Sequence, residues 1–273
     1  MRTLVQIAWL AVALIGAVVP AGASEGPVRL FVLREHGVSS STVAQPYLDK
    51  FVALAAAKNG WPGGQGSYLA SRAAVEDYIR TQNPHYAILS LAAFLALRVP
   101  HRLDVIGSVA LSLPGGRRYY LISRDAADLA GCKGKPLASD HAADARFVED
   151  VVAAGQFRLA DFELQPTRRP LQTIGAVLDG SATCALVDDA QIAELPKIPG
   201  AEGVHPVWSS AELPPMVVVA FPAASPEERE LFRSNLVPLC AEEGKKICEE
   251  VGIVSLAPAA EADYASIVGA YAH

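Results

Sequence analysis

Basic residues are in short supply: 23 lysines and arginines stand against 29 aspartates and glutamates, and only 19% of positions are charged. A formal net charge of −6 provides no positive stripe for a nucleic-acid backbone or an anionic membrane face, which argues against both as partners. Phosphate-loop signatures are missing, since neither GxxxxGK[ST] nor a strand-framed GxGxxG occurs. So are GxSxG, SxxK and HExxH, and with them the common nucleophile and zinc-protease patterns. The histidines His85, His101, His141 and His205 are scattered, and the four cysteines form no CxxC. The expectation is a chain with no metal, no cofactor and no catalytic role. Low charge together with 51% hydrophobic residues also argues against disorder, because such a chain can bury enough apolar surface to offset its conformational entropy.

Part of that hydrophobicity is concentrated at the N-terminus. Arg2 precedes an uncharged apolar stretch from Leu4 to Val19, Pro20 breaks it, and Ala21-Gly22-Ala23 is a small-x-small cleavage site. Residues 1–23 read as a secretory signal peptide cleaved after Ala23, and the stretch is short of the roughly 20 residues a membrane span needs. Without a cysteine after the site, a lipid anchor is not expected. An exported chain meets an oxidising compartment, where Cys132, Cys184, Cys240 and Cys248 have three possible pairings, with buried free thiols as the alternative.

Along the chain, apolar runs alternate with helical patterns. Val28 to Leu33 reads as a strand, Val43 to Ala57 as a helix, and Ser71 to Thr81 as an amphipathic helix closed by Asn83-Pro84. A strand-to-helix unit then occurs twice, as AILSLAAFLAL (87–97) and ALVDDAQIAEL (185–195). Each places aliphatics in a buried parallel strand and small or polar residues where the strand opens into a helix. Pro136 to Ser139 is a further strand, with Asp140 as the N-cap of a helix over 142–154. Two α/β lobes result, residues 24–115 with 220–273 and residues 116–219, each a mostly parallel sheet flanked by helices. Two crossings near Leu113 to Arg117 and Pro215 to Val218 serve as the hinge. This arrangement favours pairing Cys132 with Cys184, at the amino ends of adjacent strands, and Cys240 with Cys248. The second pair needs a break at Gly244, because eight residues of straight helix span about 12 Å.

Several segments together resemble the periplasmic substrate-binding proteins of phosphate, phosphite and phosphonate ABC transporters, which have the type 2 periplasmic-binding fold. They are RRYYLISRDAADLAGCKGKPLAS (117–139), HYAILSLAAFLAL (85–97), GAVLDGSATCALVDD (175–189) and EEGKKICEEVGI (242–253). Within them Asp128-Leu129 and Lys133-Gly134-Lys135 match the family's pattern, whereas His85 stands where an aspartate is usual. The resemblance implies a periplasmic, monomeric protein that captures a small polar solute between its lobes. It would deliver that solute to an inner-membrane ABC permease or, alternatively, present itself to a sensor kinase.

In such folds ligands sit outside the carboxyl ends of strands. That rule makes candidates of His36, Ser39, Ser40, Ser41 and Thr42 after the first strand, of Ser90, and of Tyr68 on the same wall. In the second lobe it selects Asp140, His141 and Asp188. Phosphonate-binding relatives usually place small hydroxylated residues at the Asp140-His141 position. Aspartates facing the cleft would therefore favour a cationic, zwitterionic or metal-bearing solute over a phosphonate.

Overall fold

The computed structural model describes residues 26–35, 41–113 and 115–272. The expected signal peptide lies outside them, as do His36, Ser39, Ser40 and the Ser41 side chain.

Eleven strands form among the described residues. They are β1 (Val28–Leu33), β2 (Gly64–Leu69), β3 (Tyr86–Leu89), β4 (Asp104–Leu111), β5 (Tyr119–Ser123) and β6 (Pro136–Ser139), then β7 (Glu163–Pro166), β8 (Cys184–Asp188), β9 (His205–Ser209), β10 (Met216–Ala220) and β11 (Ile253–Pro258). The α-helices are α1 (Ser41–Asn59), α2 (Arg72–Gln82), α3 (Leu91–Arg98), α4 (Leu129–Cys132) and α5 (Pro170–Leu178), then α6 (Asp189–Glu194), α7 (Pro226–Leu239), α8 (Gly244–Glu250) and α9 (Ala265–Ala272).

Two sheets divide the strands, one ordered β11-β4-β10-β3-β1-β2 and the other β7-β6-β8-β5-β9. Both are mixed rather than mostly parallel. β1 is parallel to β2 and β3, and β6 to β7 and β8, but β10 and β5 run antiparallel to their neighbours. The reason is topological: each lobe receives a strand arriving from the other lobe by an extended crossing, so that strand enters with reversed direction. β10 pairs in the first sheet along its whole length, although the expected boundary at residue 219 would assign all but Ala220 to the second lobe. The central strands β3, β8 and β10 are buried at every position, as their runs YAIL, CALVD and MVVVA require for strands covered on both faces.

The crossings run side by side. Leu213 N donates to Arg117 O at 2.7 Å, and the Arg117 side chain returns a bond from Nε to Leu213 O at 3.2 Å. A third connection comes from the C-terminus. After β11 the chain leaves the first sheet, and α9 packs on the second lobe's helical segment Phe147–Val152. Tyr264 lies edge-on to Phe94 at 5.7 Å, while Arg146 sits 5.2 Å over the Tyr271 ring. One hydrophobic cluster consequently runs from Phe31 and Leu89 of the first lobe through Tyr264 and Ile267 to Leu121 and Leu137 of the second.

Both expected disulfides are present, Cys132–Cys184 and Cys240–Cys248. Gly244 opens α8 where a Cβ would sit 1.9 Å from the Leu239 carbonyl oxygen. Only glycine lets α7 and α8 fold back closely enough for the second bridge. Among the described residues no helix is long and apolar enough to cross a membrane.

Candidate functional site

A cleft of about 430 Å³ lies between the lobes, at the carboxyl ends of β1, β3, β6 and β8. The repeated strand-to-helix units face each other across it. Ser90 ends β3 and its hydroxyl accepts from Ala93 N at 3.3 Å, while Asp188 ends β8 and its Oδ1 accepts from Gln191 N at 3.0 Å. Both cap the following helix and both line the cleft.

The second lobe's wall is a closed polar network centred on Gln191, which is buried. Its side-chain oxygen accepts from Asp188 N and His141 Nε2, each at 2.9 Å, and its amide donates to Asp140 Oδ1 at 3.2 Å. Thr173 adds a hydroxyl to the same Asp140 oxygen at 2.9 Å. The Asp140 and His141 side chains are only 2% and 3% exposed. Asp188 Oδ2 accepts from Gly116 N at 3.1 Å, so both of its oxygens serve the protein. Tyr119 stands edge-on to His141 at 5.1 Å. Burial first, then the nearby Asp188, Asp189, Asp140 and Glu35 charges, push its hydroxyl well above the usual tyrosine range, so it stays protonated.

Asp140 therefore does not cap the helix that follows. That helix starts later, and Asp144 is its cap, with Oδ1 accepting from Phe147 N at 3.0 Å. Asp144 was not singled out from the sequence, and it also carries the cleft's main cross-lobe contact. Arg72 of the first lobe donates from Nη1 to Asp144 Oδ2 at 2.8 Å and from Nε to Glu35 Oε1 at 2.9 Å. Arg72 is raised above the ordinary arginine value because these two carboxylates outweigh the opposing effect of burial, the largest single contribution. Glu35 Oε2 is buried in the same cleft without a hydrogen-bond partner among the described residues.

Among the described residues two guanidinium groups line the cleft without an ion pair, Arg34 after β1 and Arg168 before α5. Arg34 points toward the crossing, with Nη2 3.5 Å from where a Cβ on Gly115 would lie. The polar run Arg34-Glu35 was visible at the end of the first strand, but nothing local distinguished it from solvated residues. Gln191 had a usable signal in the spacing Asp188-x-x-Gln191, the pattern of a capping box.

The structure thus brings Ser90, Asp140, His141 and Asp188 together at one cleft. Thr42 is exposed on α1 and lines neither this cleft nor the cavity beside it. Tyr68 lies in that neighbouring cavity rather than on the cleft wall. Trp61 packs in the first lobe's core, stacked on Tyr86 at 5.4 Å, and Trp208 covers Phe157 at 5.0 Å. No group of three or more His, Cys, Asp or Glu among the described residues is arranged to hold a metal ion.

Two α/β lobes, two crossings and a cleft at the strand ends define the type 2 periplasmic-binding fold, and comparison with solved structures gives the same class. The chain is similar to XAC2383 from Xanthomonas citri bound to chloride ion, with a TM-score of 0.72 and 12% identity over 90% of this chain and 96% of that one. It is similar to a binding protein component of an ABC phosphonate transporter from Pseudomonas aeruginosa, with a TM-score of 0.65 and 16% identity over 88% and 84% of the two chains. PhnD1 from Prochlorococcus marinus in complex with methylphosphonate gives a TM-score of 0.63 and 12% identity over 89% and 96%. No protein-family model matches the chain, and no curated protein matches it in sequence.

Proposed function

We propose that this chain is the periplasmic solute-binding component of an ABC importer, which captures a small organic anion in the inter-lobe cleft and presents it to an inner-membrane permease. Residues 1–23 act as the export signal. The lobes are built on the two sheets, residues 26–113 with 216–258 and residues 117–213, and closure proceeds about the paired crossings. Binding rather than catalysis is the role.

The observation that carries the choice of an anion is the state of the cleft's charges. Asp188 has both oxygens engaged by backbone N–H groups, and Asp140 is held by Thr173 and Gln191, so these aspartates build the wall. Arg34 and Arg168 remain without ion pairs among the described residues and face the space a solute would fill. Glu35 Oε2 adds an acceptor for a hydrogen-bond donor on the same solute. Likeness to the phosphonate-transporter component and to the methylphosphonate complex supports the same reading.

The test is a thermal-shift screen of the mature chain against methylphosphonate, methanesulfonate, phosphate, amino acids and simple amines. A bound ligand stabilises the fold in proportion to RT ln(1 + [L]/Kd). Anionic compounds should raise the melting temperature, and Arg34→Ala should weaken the effective ones roughly tenfold or more, as expected for loss of a charge-assisted contact. A response confined to amines would overturn the proposal.

A further inference from the structure

A second cavity, of about 250 Å³, opens beside the cleft between α1, the face of the first sheet and the end of α8. Its floor is apolar and buried, formed by Leu48 and Phe51 of α1, Ile88 of β3, Val109 of β4 and Ile253 of β11. The rim is apolar too, yet it faces solvent: Val43 is 62% exposed, Tyr47 40% and Leu113 56%. Among the described residues, three of the eight large apolar side chains that are exposed gather at this one opening. The two acidic side chains at the edge are already paired, Glu250 with Lys50 at 2.8 Å and Glu249 with Lys245 at 3.9 Å.

Arg34 and Met216 line both this cavity and the polar cleft. A guanidinium without an ion pair among the described residues therefore stands at the junction of a polar chamber and an apolar one. We propose that the cavity receives the apolar tail of an organic anion whose charged head is held at Arg34. This rests on the reading of the cleft as the solute site, and it narrows the solute to an amphiphile. A cavity of about 150 Å³ with aliphatic walls already accepts a benzene ring, so this one has room for a ring or a short alkyl chain.

Calorimetric titration of the mature chain with n-alkylphosphonates from methyl to hexyl, alongside matched n-alkylammonium salts, tests the idea. Each methylene buried in the cavity should tighten phosphonate binding about fourfold until the space is full. Ala44→Trp, on the α1 wall, should flatten the dependence on chain length, and Val43→Asp at the exposed rim should weaken the hexyl member most. A flat series in which methylphosphonate still binds would overturn the inference and leave the cleft reading intact. No binding at any length would overturn both. An equal gain for the ammonium series would remove Arg34 as the determinant and overturn the inference. So would a concentration-dependent dimer abolished by Ala44→Trp, which would make a second copy of the chain the occupant.

Discussion

Arg72 Nη1 donates to Asp144 Oδ2 at 2.8 Å across the mouth of the cleft, joining the first turn of α2 to the cap of the helix on the opposite lobe. Tyr271 of α9 reaches the same carboxylate, its hydroxyl donating to Oδ2 at 3.2 Å. Asp144 thus collects one contact from its own helix, one from the facing lobe and one from the C-terminal helix. The described conformation is accordingly one in which the lobes are in contact.

Arg72→Met should release that contact while keeping the aliphatic stem. With Arg72 partly exposed, the loss amounts to about 1–2 kcal/mol in urea unfolding. Small-angle scattering should show a larger radius of gyration for the unliganded variant. A variant with unchanged compactness and stability would mean that the bridge does not couple the lobes.

His85 sets an acid limit on stability. Its Nδ1 accepts from Arg29 N at 3.1 Å, a role only the neutral ring can fill. Burial, the largest cause, pulls its pKa below the ordinary 6.5, against the raising effect of Glu228. A depressed folded value contributes stability that is present above the unfolded pKa near 6.5 and is lost as pH falls through the folded one. Unfolding midpoints measured from pH 7.5 to 4.5 should therefore decline on the acid side, and His85→Asn, which keeps an acceptor, should show a shallower decline. Parallel curves for the two proteins would remove His85 from the account.

The two disulfides should differ in worth. Cys132–Cys184 closes a loop of sequence separation 52, and Cys240–Cys248 one of 8. Chain entropy then assigns about 4 kcal/mol to the first and about 2.5 kcal/mol to the second. Serine pairs at each site, compared by denaturant titration, should keep that order. Gly244→Ala should harm the short bridge in particular, since its Cβ would collide with the Leu239 carbonyl. Mass mapping would then find free thiol at Cys240 and Cys248.

Gln191→Ala should remove three side-chain hydrogen bonds at once, those from Asp188 N and His141 Nε2 and that to Asp140. Because all of these groups are buried, the expected cost is about 2–4 kcal/mol, larger than the loss of a simple cap. Binding of an anionic solute should weaken as well, since the second lobe's wall loses its anchor. A change under 1 kcal/mol would show that solvent replaces the network.

Much of the fold was legible because its causes are local. β-branched and aliphatic runs marked β1, β3, β8 and β10, and the repeat from β3 to α3 and from β8 to α6 correctly aligned Ser90 with Asp188. Gly244 and the spacing of the cysteines contained the second disulfide, since backbone reach limits what eight residues can bridge. Asp140 was misread as a cap because cap chemistry resembles any aspartate after a strand. The true cap is four residues on, where the chain first turns helical.

What no local pattern contained is the pairing of charges. Arg72 meets Glu35 and Asp144 from 37 and 72 positions away, and Asp188 meets Gly116 from 72. Whether a carboxylate stands ready for a ligand or is spent on the protein depends on which donors reach it, and that is decided by the docking of lobes. The sequence alone determined the alternation of strands and helices and the two-lobed class, and favoured the bridges that form, through propensity, burial pattern and chain reach. Only the tertiary structure decided which cleft charges are engaged, because it occupied the aspartates with internal donors and placed Arg34 between an apolar cavity and a polar one.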